Sequence, residues 1–340
     1  MRKKGKTYFF EKPPLIIASA GVAGKKEGEG PLKNYFDAVF EDTTMGVDSF
    51  EQAESAMLHD AFIRALSKAK KSPCEIDLVM CGDLLDQCVG SCFALKDLEI
   101  PFVGMYGACS TMALTLCNAC FALGSGANTV AVGASSHFAS SERQFRFPLE
   151  YGGQRPQTSQ WTVTGAGAAV VQSPDSASDE ALHSPHISAV HIGTITDFGI
   201  KDANNMGAAM APAAARTIGD FLTDTATSCD DYDMLVTGDL GLTGSTLLYE
   251  LMKKEYSIDI SSVHKDCGTM IFDLKKQDVH SGGSGCGCSA SVLCSYLLGK
   301  MRKGELHKIL FTATGALMSP TSCKQGRPIP GIAHSVLIEM

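Results

Sequence analysis

Cys109 is the residue of this sequence best placed to do chemistry. It stands in the stretch 106–120, YGACSTMALTLCNAC, in which an uncharged run of small and apolar residues follows it. The run predicts a buried helix that begins close to the cysteine. A helix N-terminus presents free N–H groups and partial positive charge, which lower the pKa of a cysteine there and stabilise a nearby anion. The stretch therefore indicates a nucleophile, the wall of an anion-binding pocket, or a small cysteine that only packs in the core.

The other cysteines predict neither a metal site nor a disulfide framework. There are 13 cysteines, an odd number, and several lie inside apolar runs, which indicates a reduced intracellular protein. Cys117 and Cys120 have CxxC spacing, but no second CxxC or histidine pair accompanies them, so a core position is favoured. The stretch 283–288, GSGCGC, lacks the Lys-Ser/Thr of a phosphate-binding loop and indicates close helix packing. We therefore expect no cofactor and no metal ion held by the protein.

Polar and charged side chains in otherwise apolar surroundings are the candidates for holding a charged ligand. Arginine binds a carboxylate through two parallel hydrogen bonds, whereas lysine acts as a point charge. The candidates are His137, Arg143, Arg146, Arg155, Lys201, Asn204, Asn205, His264 and Lys265. The three arginines flank a segment that could fold over a cleft, and they could equally be surface or interface residues. His137 fits a satisfied core histidine as well as a ligand contact, and the charges at His264 and Lys265 could simply be solvated.

Two similar series of helices and strands must position these residues. In each half of the chain an apolar helical stripe leads to a short buried strand that ends in Gly-Asp, at Gly82 and again at Gly238. Each half then has a small-residue helix, beginning near Cys109 or near Cys286, and a second buried strand. Continuous apolar strands alternating with helices indicate parallel sheet covered by helices. The repetition indicates an internal duplication, with the two small-residue helices together at the centre.

The boundary between the halves is predicted at the polar stretch 173–186, SPDSASDEALHSPH. The first half then covers residues 1–175 and the second residues 185–340. A length of 340 residues with 44% hydrophobic content is enough for a large shared core. The formal charge of −8 argues against nucleic acid as a partner. The apolar LIIASAGVAG near the N-terminus indicates a first buried strand and not a signal peptide, because EKPP separates it from the basic start.

These segments resemble the thiolase-like superfamily, which includes the condensing enzymes of fatty-acid synthesis. The resemblance rests on the two similar halves, on GACST at a buried helix start and on VTGAGAAVV, residues 163–171, at the close of the first half. It implies an α/β fold of five layers, α/β/α/β/α, built from two duplicated halves. Four longer segments resemble, more narrowly, the stage V sporulation protein AD family: GVAGKKEGEGPL, SSERQFRFPLEYGGQRPQTSQW, TDFGIKDANNMGAAMAP and VHKDCGTMIFD.

Condensing enzymes of this superfamily use cysteine, histidine and asparagine, and Cys109 matches the cysteine. Their histidine follows a short strand of the second half, where this sequence reads LVTGDLG, with Gly238 in its place and Gly241 where an asparagine would follow. Their catalytic asparagine precedes the second central helix, where Cys286 stands here. A cysteine and two glycines do not supply the donors of histidine and asparagine. The resemblance therefore implies a protein that binds a ligand and is not an enzyme.

The family resemblance implies that the ligand is dipicolinic acid, pyridine-2,6-dicarboxylate. It also implies a role in moving this compound, as its calcium complex, during spore formation and germination. Lys265, His264 and amide or cationic donors would hold the carboxylates, with the ring against the small residues around Cys109. Calcium would accompany the ligand, because no acidic cluster of EF-hand type occurs. The alternative is an acyl-thioester-dependent acyltransferase or condensing enzyme that uses Cys109, with its histidine supplied by His137 or His264.

The resemblance also implies an assembly and a location. Thiolase-like proteins are usually homodimers in which edge strands of the two first halves pair. The strand 128–134, NTVAVGA, is apolar throughout, so we expect it to be buried on both faces and take it as the candidate for that edge. The basic segments MRKKGK and GKMRKG can attract anionic lipid. We expect peripheral attachment to the inner membrane of the spore, mainly through membrane-embedded stage V sporulation proteins.

Overall fold

A computed structural model describes residues 1–145 and 154–340, so the candidate Arg146 lies outside the described residues. The strands are β1 (Arg2–Lys4), β2 (Thr7–Phe9), β3 (Leu15–Gly24), β4 (Ala38–Phe40), β5 (Leu78–Gly82), β6 (Phe102–Gly104), β7 (Thr129–Ser136), β8 (Trp161–Thr162), β9 (Gly165–Gln172), β10 (His186–His191), β11 (Met234–Thr237), β12 (His264–Asp266), β13 (Gly283–Ser284), β14 (Lys308–Ala316) and β15 (Gly331–Glu339). The helices are α1 (Lys25–Gly28), α2 (Phe50–Lys68), α3 (Val89–Leu95), α4 (Thr111–Gly124), α5 (Phe138–Phe145), α6 (Met206–Thr225), α7 (Gly241–Leu251), α8 (Cys267–Met270), α9 (Cys286–Val292), α10 (Leu298–Arg302) and α11 (Pro320–Lys324).

The two halves have the same strand order. The first half runs β6-β5-β7-β9-β3 and the second β12-β11-β14-β15-β10. In each half the first three strands are parallel and the fourth is antiparallel to its neighbours. Gly82 ends β5, and Gly238 directly follows the equivalent strand β11, so the two Gly-Asp pairs occupy matching places. This confirms the predicted internal duplication.

The layers follow from which sheet each helix contacts. Helix α2 packs on β3 and β9 of the first half, and α6 packs on β14 and β15 of the second. Helix α4 contacts strands of both halves, β5 and β7 as well as β14 and β15. Helix α9 packs beside it on β7 and β9, while the Cys288 thiol donates to the Gly238 carbonyl. The two small-residue helices therefore form the central layer of the predicted five-layered α/β/α/β/α fold.

Local residues fix where the helices begin. Ser49 caps α2 by accepting from the Gln52 amide at 3.2 Å. Gly285, just before α9, has φ of 105°, a region that side chains other than glycine rarely adopt. A Cβ there would lie 2.7 Å from Ser136 Oγ. The glycine-rich stretch thus brings a central helix against the end of β7, as the packing interpretation predicted.

One expectation about the sheet edge was wrong. Strand β7 is buried along its whole length, but it lies between β5 and β9 and not at an edge. The edge strand of the first half is β6, which is exposed at all three of its residues. An apolar strand has the same sequence pattern wherever it lies within a covered sheet, so the sequence alone does not give its neighbours.

Glu27 is a fully buried carboxyl of the first half. Its Oε1 accepts from the Thr164 amide at 3.0 Å, and burial raises its pKa to about 7. Because the folded state favours the protonated form, the stability that Glu27 contributes is fully present below its unfolded pKa, 4.5, and is lost as the pH rises to about 7.

We expect Glu27→Gln to become more stable than the parent as the pH rises. The difference in free energy of unfolding should increase by up to about 3 kcal/mol between pH 4.5 and pH 7. Urea denaturation at several pH values measures it, with the exposed Glu29→Gln as the control. If the difference in free energy of unfolding between Glu27→Gln and the parent does not change with pH, Glu27 is ionised in the folded protein.

Candidate ligand-binding site

A cavity of about 30 Å³ lies beside Cys109, where the central helices meet the ends of strands from both halves. Its lining residues are Leu84, Tyr106, Ala108, Cys109, Ser141, Phe145, Thr162, Met206, Ser284, Ala316 and Met318. We call this cavity the central cleft. Of the ligand contacts predicted from the sequence, its lining contains Cys109.

Cys109 is held in a tight turn before α4. The preceding residue, Ala108, has φ of 50°, which is uncommon for a residue with a side chain and often marks a functional site. The Ser110 and Thr111 amides donate to the carbonyls of Gly107 and Ala108 inside the turn. These two N–H groups are therefore already bonded within the turn.

The environment of the Cys109 thiol opposes ionisation. Cys109 is 5% exposed, and its thiol lies close enough to the buried Asp239 carboxyl for the two groups to interact electrostatically. Burial, and then the charge of Asp239, raise the pKa of the Cys109 thiol well above its usual value. The helix position had predicted a lowered pKa. Burial and a nearby carboxyl outweigh the helix terminus, because both act directly on the sulfur in a medium of low dielectric constant.

Asp239 is the main residue of this site that sequence reasoning missed. Its side chain accepts from the Gly285 amide at 2.8 Å, from Thr314 Oγ1 at 3.0 Å and from Ser284 Oγ at 3.3 Å. Burial raises its pKa to about 7. The repeated Gly-Asp at the strand ends was the available signal, but it was used only as evidence of duplication. Asp239 joins the Cys109 turn to strands and loops of the second half.

Cys286 is the first residue of α9. In the sequence it stands at the position of the catalytic asparagine of condensing enzymes. Its thiol is fully buried and donates to the Ser135 carbonyl at 2.9 Å. Burial raises its pKa well above the usual value, and the neighbouring Cys109 adds to this shift. A protonated thiol is a weak hydrogen-bond donor, so Cys286 is a poor substitute for an amide that binds an oxyanion.

The two histidines proposed as contacts have partners elsewhere. His137 is stacked between Phe50 and Phe138, and its Nε2 is 2.8 Å from the Thr43 carbonyl. Burial lowers its pKa. This is the satisfied core histidine that the sequence left open as an alternative.

His264 belongs to a buried network of the second half. Its Nδ1 lies 2.9 Å from Tyr249 Oη and its Nε2 lies 2.8 Å from Thr237 Oγ1. Burial lowers its pKa to about 4, and Lys265 adds to this shift. Thr237 also donates to Asp266, whose carboxyl accepts from the amides of Leu240, just before α7, and of Gly241, its first residue. Both ring nitrogens of His264 are therefore occupied.

The remaining predicted contacts lie on exposed or helix-capping positions outside the lining of the central cleft. Arg143 forms an ion pair with Glu51. Asn205 caps α6 by accepting from the Ala208 amide at 3.2 Å. Lys201, Asn204 and Lys265 are exposed. Arg155, a further candidate from the sequence, pairs with Asp278 at 2.7 Å.

Hydroxyl groups supply the polar surface of the central cleft. Ser141 is 2% exposed, and its Oγ has no hydrogen-bond partner among the described residues. Tyr106 and Ser284 add a phenol and a second hydroxyl to the lining. A buried hydroxyl without a partner is unfavourable, so a polar group of a ligand or a water molecule that bonds to Ser141 stabilises the site.

The described residues, 1–145 and 154–340, contain neither a cluster that could hold a metal ion nor a helix that could span a membrane. No group of three or more histidine, cysteine, aspartate or glutamate side chains in these ranges is arranged to hold a metal ion. No helix within the same ranges is long and apolar enough to cross a membrane.

The duplicated halves, with two small-residue helices in the central layer, define a protein with the thiolase-like fold, and comparison with solved structures agrees. The chain superposes on 3-oxoacyl-(acyl-carrier-protein) synthase III of Aquifex aeolicus with a TM-score of 0.56 at 14% identity, covering 96% of this chain and 100% of that one. Cerulenin-bound OleA of Xanthomonas campestris gives a TM-score of 0.62 at 14% identity, with 100% of both chains covered.

The chain belongs to the stage V sporulation protein AD family. The sequence model of that family matches residues 4–339. The stage V sporulation protein AD of Bacillus subtilis is 41% identical over 342 residues, which cover 100% of this chain and 98% of that protein. Family membership establishes a role in sporulation and confirms the resemblance inferred from the sequence.

Proposed function

We propose that this protein binds dipicolinic acid, or its calcium complex, at the central cleft and catalyses no reaction. The observation that carries the proposal is that Cys109 is buried near the Asp239 carboxyl, while His137 and His264 hydrogen-bond to other residues. The sporulation family supports the choice of ligand. Binding would serve the uptake of the compound into the developing spore and its release in germination.

The thiol environment argues against covalent catalysis. A cysteine nucleophile reacts as the thiolate, which an adjacent base or positive charge must stabilise. At Cys109, burial and the nearby Asp239 carboxyl both raise the pKa of the thiol and so destabilise the thiolate. The acyltransferase alternative would need a histidine beside the sulfur, whereas His137 and His264 bond to Thr43, Thr237 and Tyr249. The enzyme-like fold alone does not outweigh this arrangement.

The lining of the central cleft suits a small polar aromatic ligand if the cleft widens. Ser141 and Tyr106 offer hydroxyl donors to carboxylate oxygens, and Met206 and Met318 offer flexible apolar walls. The present volume of about 30 Å³ holds only about one or two water molecules, so the ligand must displace the methionine side chains or Phe145. A calcium ion bound to the carboxylates would reduce their repulsion by Asp239.

Two measurements test the proposed function. Calorimetric titration with dipicolinate, with and without calcium, should give saturable binding with one site per chain. Incubation with acyl-CoA thioesters should give neither turnover nor a mass increase on the peptide that contains Cys109. Acylation of Cys109 without dipicolinate binding would favour the condensing-enzyme alternative and contradict the proposal.

We further propose that the protein is a homodimer formed through β6. Among the described strands, β6 bonds only to β5, and its residues Phe102 and Val103 are 37% and 40% exposed. An exposed apolar edge strand is a template for pairing with a second copy.

We expect Val103→Lys to convert the dimer into a monomer. The added lysine would face the same lysine of the second copy across the two-fold axis, and the two positive charges would repel each other. Analytical ultracentrifugation at low micromolar concentration measures the change. Leu182→Lys removes an exposed apolar residue elsewhere and should leave the dimer intact. A parent protein that is already monomeric under these conditions would contradict the proposed interface.

Peripheral attachment to the spore inner membrane, through membrane-embedded stage V sporulation proteins, is the proposed location. The basic segments contribute less than their composition suggests. Arg302 of the second segment bonds to strand β3, and Lys300 pairs with Glu305. The N-terminal strand β1 keeps its basic residues exposed. Membrane association that persists after deletion of those partner proteins would oppose this attachment.

A further inference from the structure

A second cavity, of about 390 Å³, lies at the far end of the first-half sheet from Cys109. Its lining includes Gln172, the last residue of β9, which pairs with Thr129 at the start of β7. The central cleft lies at the other end of β7, where Ser135 accepts from Cys286. The volume of the second cavity is in the range of small-molecule sites. It is formed by the end of α2, the segment 173–184 and Arg302, and we call it the linker pocket.

Positive charge dominates the linker pocket. Its charged and titratable lining residues are Lys68, Lys70, Lys71, Glu180, His183 and Arg302. Glu180 is the one carboxylate among the described residues that line it. The protein as a whole carries a net charge of −8, so this basic concavity is a local exception. A concave surface lined by one sign of charge concentrates counter-ions.

Arg302 is the central cation of the linker pocket. Its Nη1 donates to Ser19 Oγ at 2.9 Å and its Nη2 to the Ile16 carbonyl at 3.4 Å. Both acceptors are uncharged, and no carboxylate of the described residues forms an ion pair with the guanidinium. Lys68 Nζ also donates to the Ser19 carbonyl, at 2.9 Å. Two cations thus converge on one residue. Lys68 forms an ion pair with the neighbouring Asp37 carboxylate, whereas Arg302 forms none among the described residues, so a bound anion would add a direct partner for its charge.

The lysines of the linker pocket differ in how closely a carboxylate pairs with each of them. Lys68 pairs with Asp37 at 2.5 Å and Lys71 pairs with Glu75 at 3.2 Å. Lys70 is 82% exposed and its nearest carboxylate, that of Glu180, is 3.9 Å away. Lys70 and Arg302 are therefore the cations with the most donor capacity left for a ligand.

A purely structural explanation covers only part of this arrangement. Basic residues at the end of a helix stabilise its dipole, and Lys68 is the last residue of α2. Arg302 ends α10, but its guanidinium bonds to strand β3 and not to the carbonyls of its own helix. The helix dipole also does not account for an open volume between these side chains.

We propose that the linker pocket binds a small polyanion that carries phosphate groups. Arg302 would bind one oxyanion group through its free N–H groups, since guanidinium geometry matches such groups, and Lys70 would contribute a mobile point charge. The site is separate from the central cleft and does not depend on dipicolinate binding there. A free phosphorylated compound and a phospholipid headgroup share this chemistry.

Calorimetric titration with inorganic pyrophosphate in 150 mM sodium chloride, a concentration of about physiological ionic strength, tests the proposal. Arg302→Gln should weaken binding at least about tenfold, and Lys70→Gln about threefold. Glu180→Gln removes the one carboxylate of the lining, so it should strengthen binding about threefold, a gain that misfolding does not produce. Lys254→Gln removes an equal charge from an exposed turn after α7 and should have no effect.

Vesicles distinguish the two sources of the anion. Binding to phosphatidylglycerol vesicles but not to phosphatidylcholine vesicles, with loss in Arg302→Gln, would assign a lipid headgroup. Pyrophosphate binding without vesicle binding would assign a free small molecule. The proposal is overturned if pyrophosphate does not bind, or if Lys254→Gln weakens binding as much as Arg302→Gln. Dipicolinate titrations on the same variants keep this result separate from the proposed function, because these substitutions lie outside the central cleft.

Discussion

Replacing Cys109 by leucine should abolish dipicolinate binding. The thiol lines a cavity of about 30 Å³, and the larger leucine side chain would occupy the space that the ligand ring needs. Cys109→Ser changes the volume little, so it should weaken binding only about threefold. Calorimetric titration of dipicolinate into both variants measures these effects, and thermal unfolding of the same samples establishes that they are folded.

Two further results would separate the explanations of Cys109. If it is an acyl acceptor, Cys109→Ser should abolish function in spores while leaving dipicolinate affinity unchanged.

Lys265→Ala tests the contact inferred from the sequence. The exposed position of Lys265, outside the lining of the central cleft, leads us to expect unchanged affinity, whereas a direct contact would give a loss of roughly ten- to a hundredfold. Unchanged dipicolinate binding in Cys109→Leu would rule out the central cleft as the site.

Removing the Asp239 carboxyl should destabilise the protein by about 3–5 kcal/mol at pH 5. Asp239→Ala leaves the Gly285 amide and the Thr314 hydroxyl without their buried acceptor. The loss should be smaller at pH 8. Since the folded pKa of Asp239 is raised to about 7, its contribution to stability is greatest at low pH and is lost as the pH rises through 7. Urea unfolding at the two pH values measures both effects.

Asp239→Asn is the matched control, because it keeps the volume and removes the charge. It should cost less stability than alanine, and it should lower the pKa of Cys109, since the carboxylate no longer opposes the thiolate. Alkylation of Cys109 by iodoacetamide, followed by peptide mass spectrometry, should accordingly be faster than in the parent. If both variants unfold like the parent and Cys109 reacts no faster, Asp239 does not control this thiol.

The sequence by itself determined the architecture. Apolar strands, small-residue helices and the Gly-Asp pairs at Gly82 and Gly238 are local patterns, and the structure confirms the duplicated α/β halves that they predicted. The sequence also placed Cys109 correctly before a buried central helix. These predictions succeed because periodicity, chain flexibility at glycine and apolar burial are set by residues close together in the chain.

The tertiary structure alone decided what surrounds each functional group. Asp239 reaches Cys109 only through the packing of the two halves, and burial then raises a thiol pKa that the helix start would lower. His137 and His264 have the residue type for catalysis but hydrogen-bond to other partners. The linker pocket likewise joins α2, the segment 173–184 and Arg302, which are far apart in sequence. Charge, burial and hydrogen-bond partners depend on distances in space, and a linear pattern of residues does not contain those distances.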